Sequence, residues 1–130
     1  MIKRTVLAIF ISSSSLVGCI TTPTISAQQR PPHWGKVIDQ PDNFYQISEH
    51  VFRSEQPDAE LIPQLKTQHI DAVINLRSRN ADLAVLPSTD FQLIHIPIDT
   101  WAMNRDDLLQ VMQHIQQAQK LNQKVLIHCY

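Results

Sequence analysis

Three side chains of this sequence have the chemistry to form one reactive centre. Cys129 follows the apolar run Val125-Leu126-Ile127 and His128. A thiol is a poor nucleophile and a thiolate a strong one, so Cys129 needs a field that lowers its pKa from about 8.5. Backbone N–H groups where a strand leaves for a loop and a helix supply that field, and the same donors bind a phosphate dianion. Adjacent His128 can tune the thiolate through a hydrogen bond. Asp99 lies thirty residues earlier and, as a carboxylic acid, can protonate a leaving alkoxide. Arg77, not one of the three, comes directly after Asn75-Leu76.

These residues meet only if the intervening elements bring them to one edge. Phe44 to Ser48 and Val51-Phe52-Arg53 read as short strands around a Glu49-His50 turn. Pro57-Asp58 opens a helix with Asp58 as N-cap and with Leu61, Ile62 and Leu65 on one face; Pro63 fits only in its first turn. Ala72-Val73-Ile74 is the apolar run of a strand buried on both faces. The polar stretch from Arg77 to Asp90 carries no clear period. Phe91 to Ile98 reads as a strand. Asn104 caps a helix from Arg105 to about Leu121, whose Leu108, Val111, Met112, Ile115 and Ala118 form one face expected to be buried. Val125-Leu126-Ile127 is the last strand. Strands alternating with helices predict an α/β fold with a parallel sheet and right-handed crossovers. One strand then delivers Asp99 to the carboxyl edge, a helix of about 17 residues and roughly 25 Å returns the chain, and the next strand delivers Cys129 to that edge. Open α/β sheets bind ligands there. Arg77 arrives at the same edge.

Composition removes several other classes. The chain has 130 residues, room for one small domain, with 11 basic and 12 acidic side chains and a net charge of −1. No basic patch marks a nucleic-acid partner. Two glycines, Gly18 and Gly35, cannot form a Gly-rich nucleotide loop, and two cysteines make neither a disulfide scaffold nor a Cys-based zinc site. His33, His50, His69, His95 and His114 show no metal-ligand spacing, so no cofactor or metal is implied.

Lys3 and Arg4, the apolar run Val6 to Ile11, and Leu16-Val17-Gly18-Cys19 fit an export signal too short to span a membrane. The tetrapeptide resembles the bacterial lipobox, which implies cleavage after residue 18 and acylation of Cys19. By that resemblance Ile20, which is not Asp, implies outer-membrane sorting with the protein facing the periplasm. Acyl chains contribute about 0.8 kcal/mol per buried methylene, so such an anchor would hold. Residues 20 to about 42, rich in Thr, Pro, Gln and Ser, are expected to be a flexible tether. Within it Trp34 either docks on the domain or stays exposed.

Val125-Leu126-Ile127-His128-Cys129 resembles the start of the signature of cysteine-dependent tyrosine and dual-specificity phosphatases, His-Cys-(five residues)-Arg-Ser/Thr. Asn43-Phe44-Tyr45, continuing to Val51-Phe52-Arg53-Ser54-Glu55-Gln56-Pro57, is similar to the "YRS-x-QP" segment of the bacterial and plant–fungal atypical members. Ile74-Asn75-Leu76-Arg77 is similar to their "INLR" strand, and His95-Ile96-Pro97-Ile98-Asp99 with Trp101 to their acid-loop approach. The pieces occur in family order over residues 43 to 130. The resemblance implies a cysteinyl-phosphate mechanism with Cys129 as nucleophile, Asp99 as general acid, and phosphoproteins or phosphorylated small molecules as substrates. It also implies an incomplete domain: the family's phosphate loop and Arg follow the cysteine, and only Tyr130 follows here. Residues 1–130 alone are therefore expected not to turn over phosphate esters, and without covering helices they are expected to fold marginally or aggregate.

Plainer readings stand beside these. Cys129 could be a core cysteine, or, in an oxidising compartment, pair with an unacylated Cys19. Asp99 could cap a loop, with Asp106 or Asp107 as the acid; both also suit a helix first turn. Arg77 and Arg79 are read mainly as structural ion-pair residues, and Met103 and Met112 as packing residues. The competing functions are a non-catalytic anchored binding domain, or remnant, and a rhodanese-like sulfur carrier, in which Asp99 has no role.

Overall fold

The computed structural model describes residues 31–129; Cys19, the export signal and Tyr130 lie outside them. Nine elements follow a short 3-10 turn at Pro32–Trp34: β1 (Lys36–Asp39), β2 (Phe44–Gln46), β3 (Val51–Ser54), α1 (Ile62–Thr67), β4 (Ala72–Asn75), α2 (Asp82–Val85), β5 (Gln92–His95), α3 (Arg105–Lys120) and β6 (Val125–His128). They build one six-stranded sheet in the order β1-β2-β3-β6-β4-β5. β1, β2 and β3 pair antiparallel, and β3, β6, β4 and β5 are all parallel. The last strand thus lies in the middle. His128 stands opposite Ser54 on one side and Asn75 on the other.

Period-two alternation splits the apolar residues between two faces. Phe44, Phe52, Val73 and Leu126 pack with Leu61, Leu65 and Leu86. Ala72, Ile74 and Val125 pack with Val111 and Ala118 of α3. Each fully buried large side chain contributes about 1.5–3 kcal/mol, so the central strands supply much of the driving force. The two faces explain why β4 and β6 are apolar without alternation: both sides of each strand are covered.

α3 begins as expected. Asn104 Oδ1 accepts from the backbone N–H groups of Asp106 and Asp107, and the Asp107 carboxylate accepts from the Asn104 N–H, a reciprocal cap. After Lys120 the chain leaves the helix through Asn122 (φ 55°), and the Gln123 N–H reaches back to the Ala118 carbonyl ahead of β6.

Other expectations need correction. The tether does not extend to about residue 42: Val37 and Ile38 lie in β1, an edge strand on β2, and their β-branched side chains favour the pleat. Asp58 does cap, accepting from the Glu60 and Leu61 N–H groups, but it caps a turn, and α1 begins only at Ile62, with Pro63 in its first turn. β5 is shorter than Phe91 to Ile98 because Pro97 has no N–H for the ladder; Ile96 and Ile98 still donate to the Asn75 and Leu76 carbonyls. The α3 face is only partly buried: Val111 and Ala118 are covered, while Leu108 and Met112 are each half exposed. Met103, read as a packing residue like Met112, is half exposed too, and Trp34 is 44% exposed.

Candidate active site

Leu76 stitches the site together. Its N–H donates to the carbonyl of His128, the residue before Cys129, and its carbonyl accepts from the N–H of Ile98, the residue before Asp99. The ends of β4, β6 and the β5 segment therefore reach one rim. Cys129, Asp99 and Arg77 line the same open cavity there, about 420 Å³, together with Ser78, Arg79, Thr100 and Trp101. The predicted meeting at the carboxyl edge is a feature of the structure.

Cys129 is exposed and unpaired. Asp99 is exposed as well, with Oδ1 accepting from the Trp101 N–H (3.3 Å) and its carbonyl from the Ala102 N–H (2.9 Å). It therefore caps its own turn while lining the cavity. Trp101, 94% exposed, offers an aromatic face at the rim. Asp106 and Asp107 belong to the α3 cap and are not among the cavity-lining residues. Arg77 and Arg79, read mainly as ion-pair residues, both line the cavity, and Arg79 makes no ion pair among the described residues. Arg77 is fixed at several points: its N–H donates to Asn75 Oδ1 (2.8 Å), its Nη1 to Gln56 Oε1 (3.0 Å), and its carbonyl accepts from His95 Nε2 (2.8 Å).

His128 faces elsewhere. Its ring is buried, with Nε2 donating to Asp82 Oδ2 at 2.9 Å, and it does not line the cavity. Asp82 is buried too, and its Oδ1 accepts from Gln56 Nε2 at 2.9 Å. Burial pushes the Asp82 carboxyl up, but the hydrogen bonds from His128 and Gln56 and the nearby imidazoles outweigh it and hold the group below its ordinary value. Sequence reading missed both Asp82 and Gln56 as parts of this network. Asp82 lies in the polar stretch without a period, and nothing local marks an acid as buried. Among the described residues, no group of three His, Cys, Asp or Glu side chains is placed to hold a metal ion.

No family model matches the chain. Over 104 residues it is 25% identical to the dual specificity protein phosphatase TpbA of Pseudomonas aeruginosa, a match covering 80% of this chain and 47% of the relative. The crystal structure of TpbA superposes with a TM-score of 0.68 at 24% identity, covering 75% of this chain and 60% of that one. The fold matches that of this phosphatase structure. A Cys-to-Ser form of TpbA in complex with pTyr gives 0.70 at 24% identity, over 77% of this chain and 60% of that one. A DUF442 protein of Shewanella putrefaciens CN-32 gives 0.54 at 22% identity, over 67% and 58%. The chain spans about half the length of the curated relatives it matches. The sheet edge that carries Cys129 and Asp99 brings a thiol and a carboxyl group to one cavity.

Proposed function

We propose that this chain carries the nucleophile and the general acid of a phosphatase domain that hydrolyses phosphate monoesters through a cysteinyl-phosphate. The observation carrying this reading is the shared cavity: Cys129 and Asp99, from two parallel strand ends, line it together with Arg77, and Leu76 bonds through its backbone to the residue before each. In the first step the Cys129 thiolate forms an S–P bond as the ester P–O bond breaks, and Asp99 gives its proton to the leaving oxygen. In the second, the Asp99 carboxylate takes a proton from water as its oxygen attacks phosphorus, the S–P bond breaks, and phosphate and thiolate are released. Phosphotyrosine is the substrate chemistry favoured, because Trp101 can flank an aromatic ring and a relative has been crystallised with pTyr.

Turnover also requires groups that hold the equatorial phosphoryl oxygens. In the resembling family these follow the cysteine, so the activity is proposed for the protein extended past Tyr130 with that loop, and residues 1–130 alone are proposed to be inactive. Acylation at Cys19 would place the domain at a membrane surface facing the periplasm. Mass spectrometry of the mature amino terminus, with Cys19→Ala releasing the protein into the soluble fraction, tests that part.

The activity is tested by hydrolysis of para-nitrophenyl phosphate and of a phosphotyrosine peptide by the chain and by its in-frame extension. Activity of the extension, abolished by Cys129→Ser, is expected. An extension that carries the loop and is folded but inert would favour a non-catalytic binding domain, and thiosulfate-dependent persulfide on Cys129 would favour sulfur transfer.

A further inference from the structure

We infer that Asp82 is a positioning residue for Cys129, acting through His128. The inference rests on the proposed role of Cys129 as nucleophile and adds a residue to it. Asp82 and His128 are both 1% exposed, 46 residues apart in sequence, and their side chains meet at 2.9 Å. The other carboxylate oxygen of Asp82 is taken by Gln56, and Gln56 in turn accepts from Arg77 at the cavity wall. One line of hydrogen bonds therefore runs from the cavity through Gln56 and Asp82 to the residue preceding the thiol.

The consequence for His128 is specific. A carboxylate held ionised can only accept, so ring nitrogen Nε2 must carry a proton. Nδ1 is buried and has no hydrogen-bond partner among the described residues. Nothing else there selects the tautomer; Asp82 does. Of the polar groups on the neighbouring strands, Asn75 Nδ2 is buried without a hydrogen-bond partner among the described residues, and the others are engaged elsewhere. Ser54 on β3 gives its hydroxyl proton to the Glu55 carbonyl, and Asn75 on β4 uses its Oδ1 on the Arg77 N–H. His95 on β5 is committed to the Arg77 carbonyl. With the ring held at one end, the β6 terminus is fixed against β3 and β4, and Cys129 leaves the sheet in a set direction. A buried carboxylate that orients an imidazole in this way acts on the reacting group without touching substrate.

The test uses the full chain and needs no turnover. Nitrogen-15 shifts of the His128 ring are expected to show the proton on Nε2 in the wild type and a changed tautomer pattern in Asp82→Asn. Iodoacetamide alkylation of Cys129, followed by peptide-resolved mass spectrometry so that Cys19 is counted separately, is expected to slow roughly three- to tenfold in Asp82→Asn, the range of one hydrogen bond's net contribution. A proton on Nδ1 with Nε2 bare in the wild type overturns the inference with no variant involved. So does an Asp82→Asn protein with unchanged ring shifts and an unchanged alkylation rate. Phosphatase turnover enters neither readout: an inert extension with the expected tautomer would count against the proposed activity alone, and an active one with unchanged shifts against Asp82 alone.

Discussion

Removing the Asp82 carboxylate should cost this domain a large share of its stability. Asp82 is 1% exposed and accepts at 2.9 Å from both His128 Nε2 and Gln56 Nε2. In Asp82→Ala both donors lose their acceptor, and His128, equally buried, cannot recover it from water. Each donor left unsatisfied at a buried site costs about 1–3 kcal/mol, and two lose their acceptor here, against a total of about 5–15 kcal/mol for a domain of ordinary stability. At about 4–8 °C per kcal/mol for a chain of this size, the melting temperature should fall by about 10 °C or more. Asp82→Asn keeps one accepting oxygen and should cost about 1–3 kcal/mol. The pH dependence carries a definite sign. Because the fold holds the Asp82 carboxyl below its ordinary value, its stabilisation is fully present above the unfolded carboxyl pKa of about 3.9 and is lost as pH falls through the lower folded value. The gap between wild type and Asp82→Asn should therefore be constant from neutral pH into mild acid and shrink only below it. Urea and thermal melts followed by circular dichroism, repeated across that range, measure both quantities. An Asp82→Ala protein melting within about 2 °C of wild type, under half a kcal/mol, would refute the claim that the pair is buried and coupled.

Four further outcomes are expected. In the active extended protein, Asp99→Asn should lower kcat about 10²–10⁴-fold on a phosphotyrosine peptide but much less on para-nitrophenyl phosphate, whose leaving group needs little protonation; equal losses would remove the acid role. Asn104→Ala should destabilise by about 1 kcal/mol through loss of the α3 cap, read in urea melts at neutral pH. Gly35→Ala should cost about 1–3 kcal/mol, since Gly35 has φ 106° and an added Cβ would lie 2.8 Å from the Gln46 carbonyl oxygen; amide exchange should then rise in β1 before the central strands. Replacing half-exposed Leu108 and Met112 together by Lys should reduce self-association of residues 1–130 in sedimentation without lowering the melting temperature.

Local sequence signals carried much of the fold. The Asn104–Asp107 cap, the apolar runs of β4 and β6 and the turn between β2 and β3 each depend on neighbours within a few residues, and each lies where pattern and propensity place it. Because a parallel crossover returns every strand in one direction, the run order alone was enough to bring Asp99, Cys129 and Arg77 to one edge, where they line a common cavity.

What needed the tertiary structure was pairing at long separation. Asp82 looks like an ordinary polar residue in a polar stretch, because burial is a property of what packs around it, and Gln56, 26 residues earlier, carries no local sign that it bonds to it. The partner of His128 lies 46 residues away, and no local period encodes that contact. The same reason explains the α3 face: its 3.6-residue spacing specifies which residues share a side, whereas whether Leu108 and Met112 are covered depends on which elements lie against them, and it is Val111, Ile115 and Ala118 that pack against the sheet. Spacing along the chain decided which groups arrive at the rim; packing across it decided which of them are held, and by what.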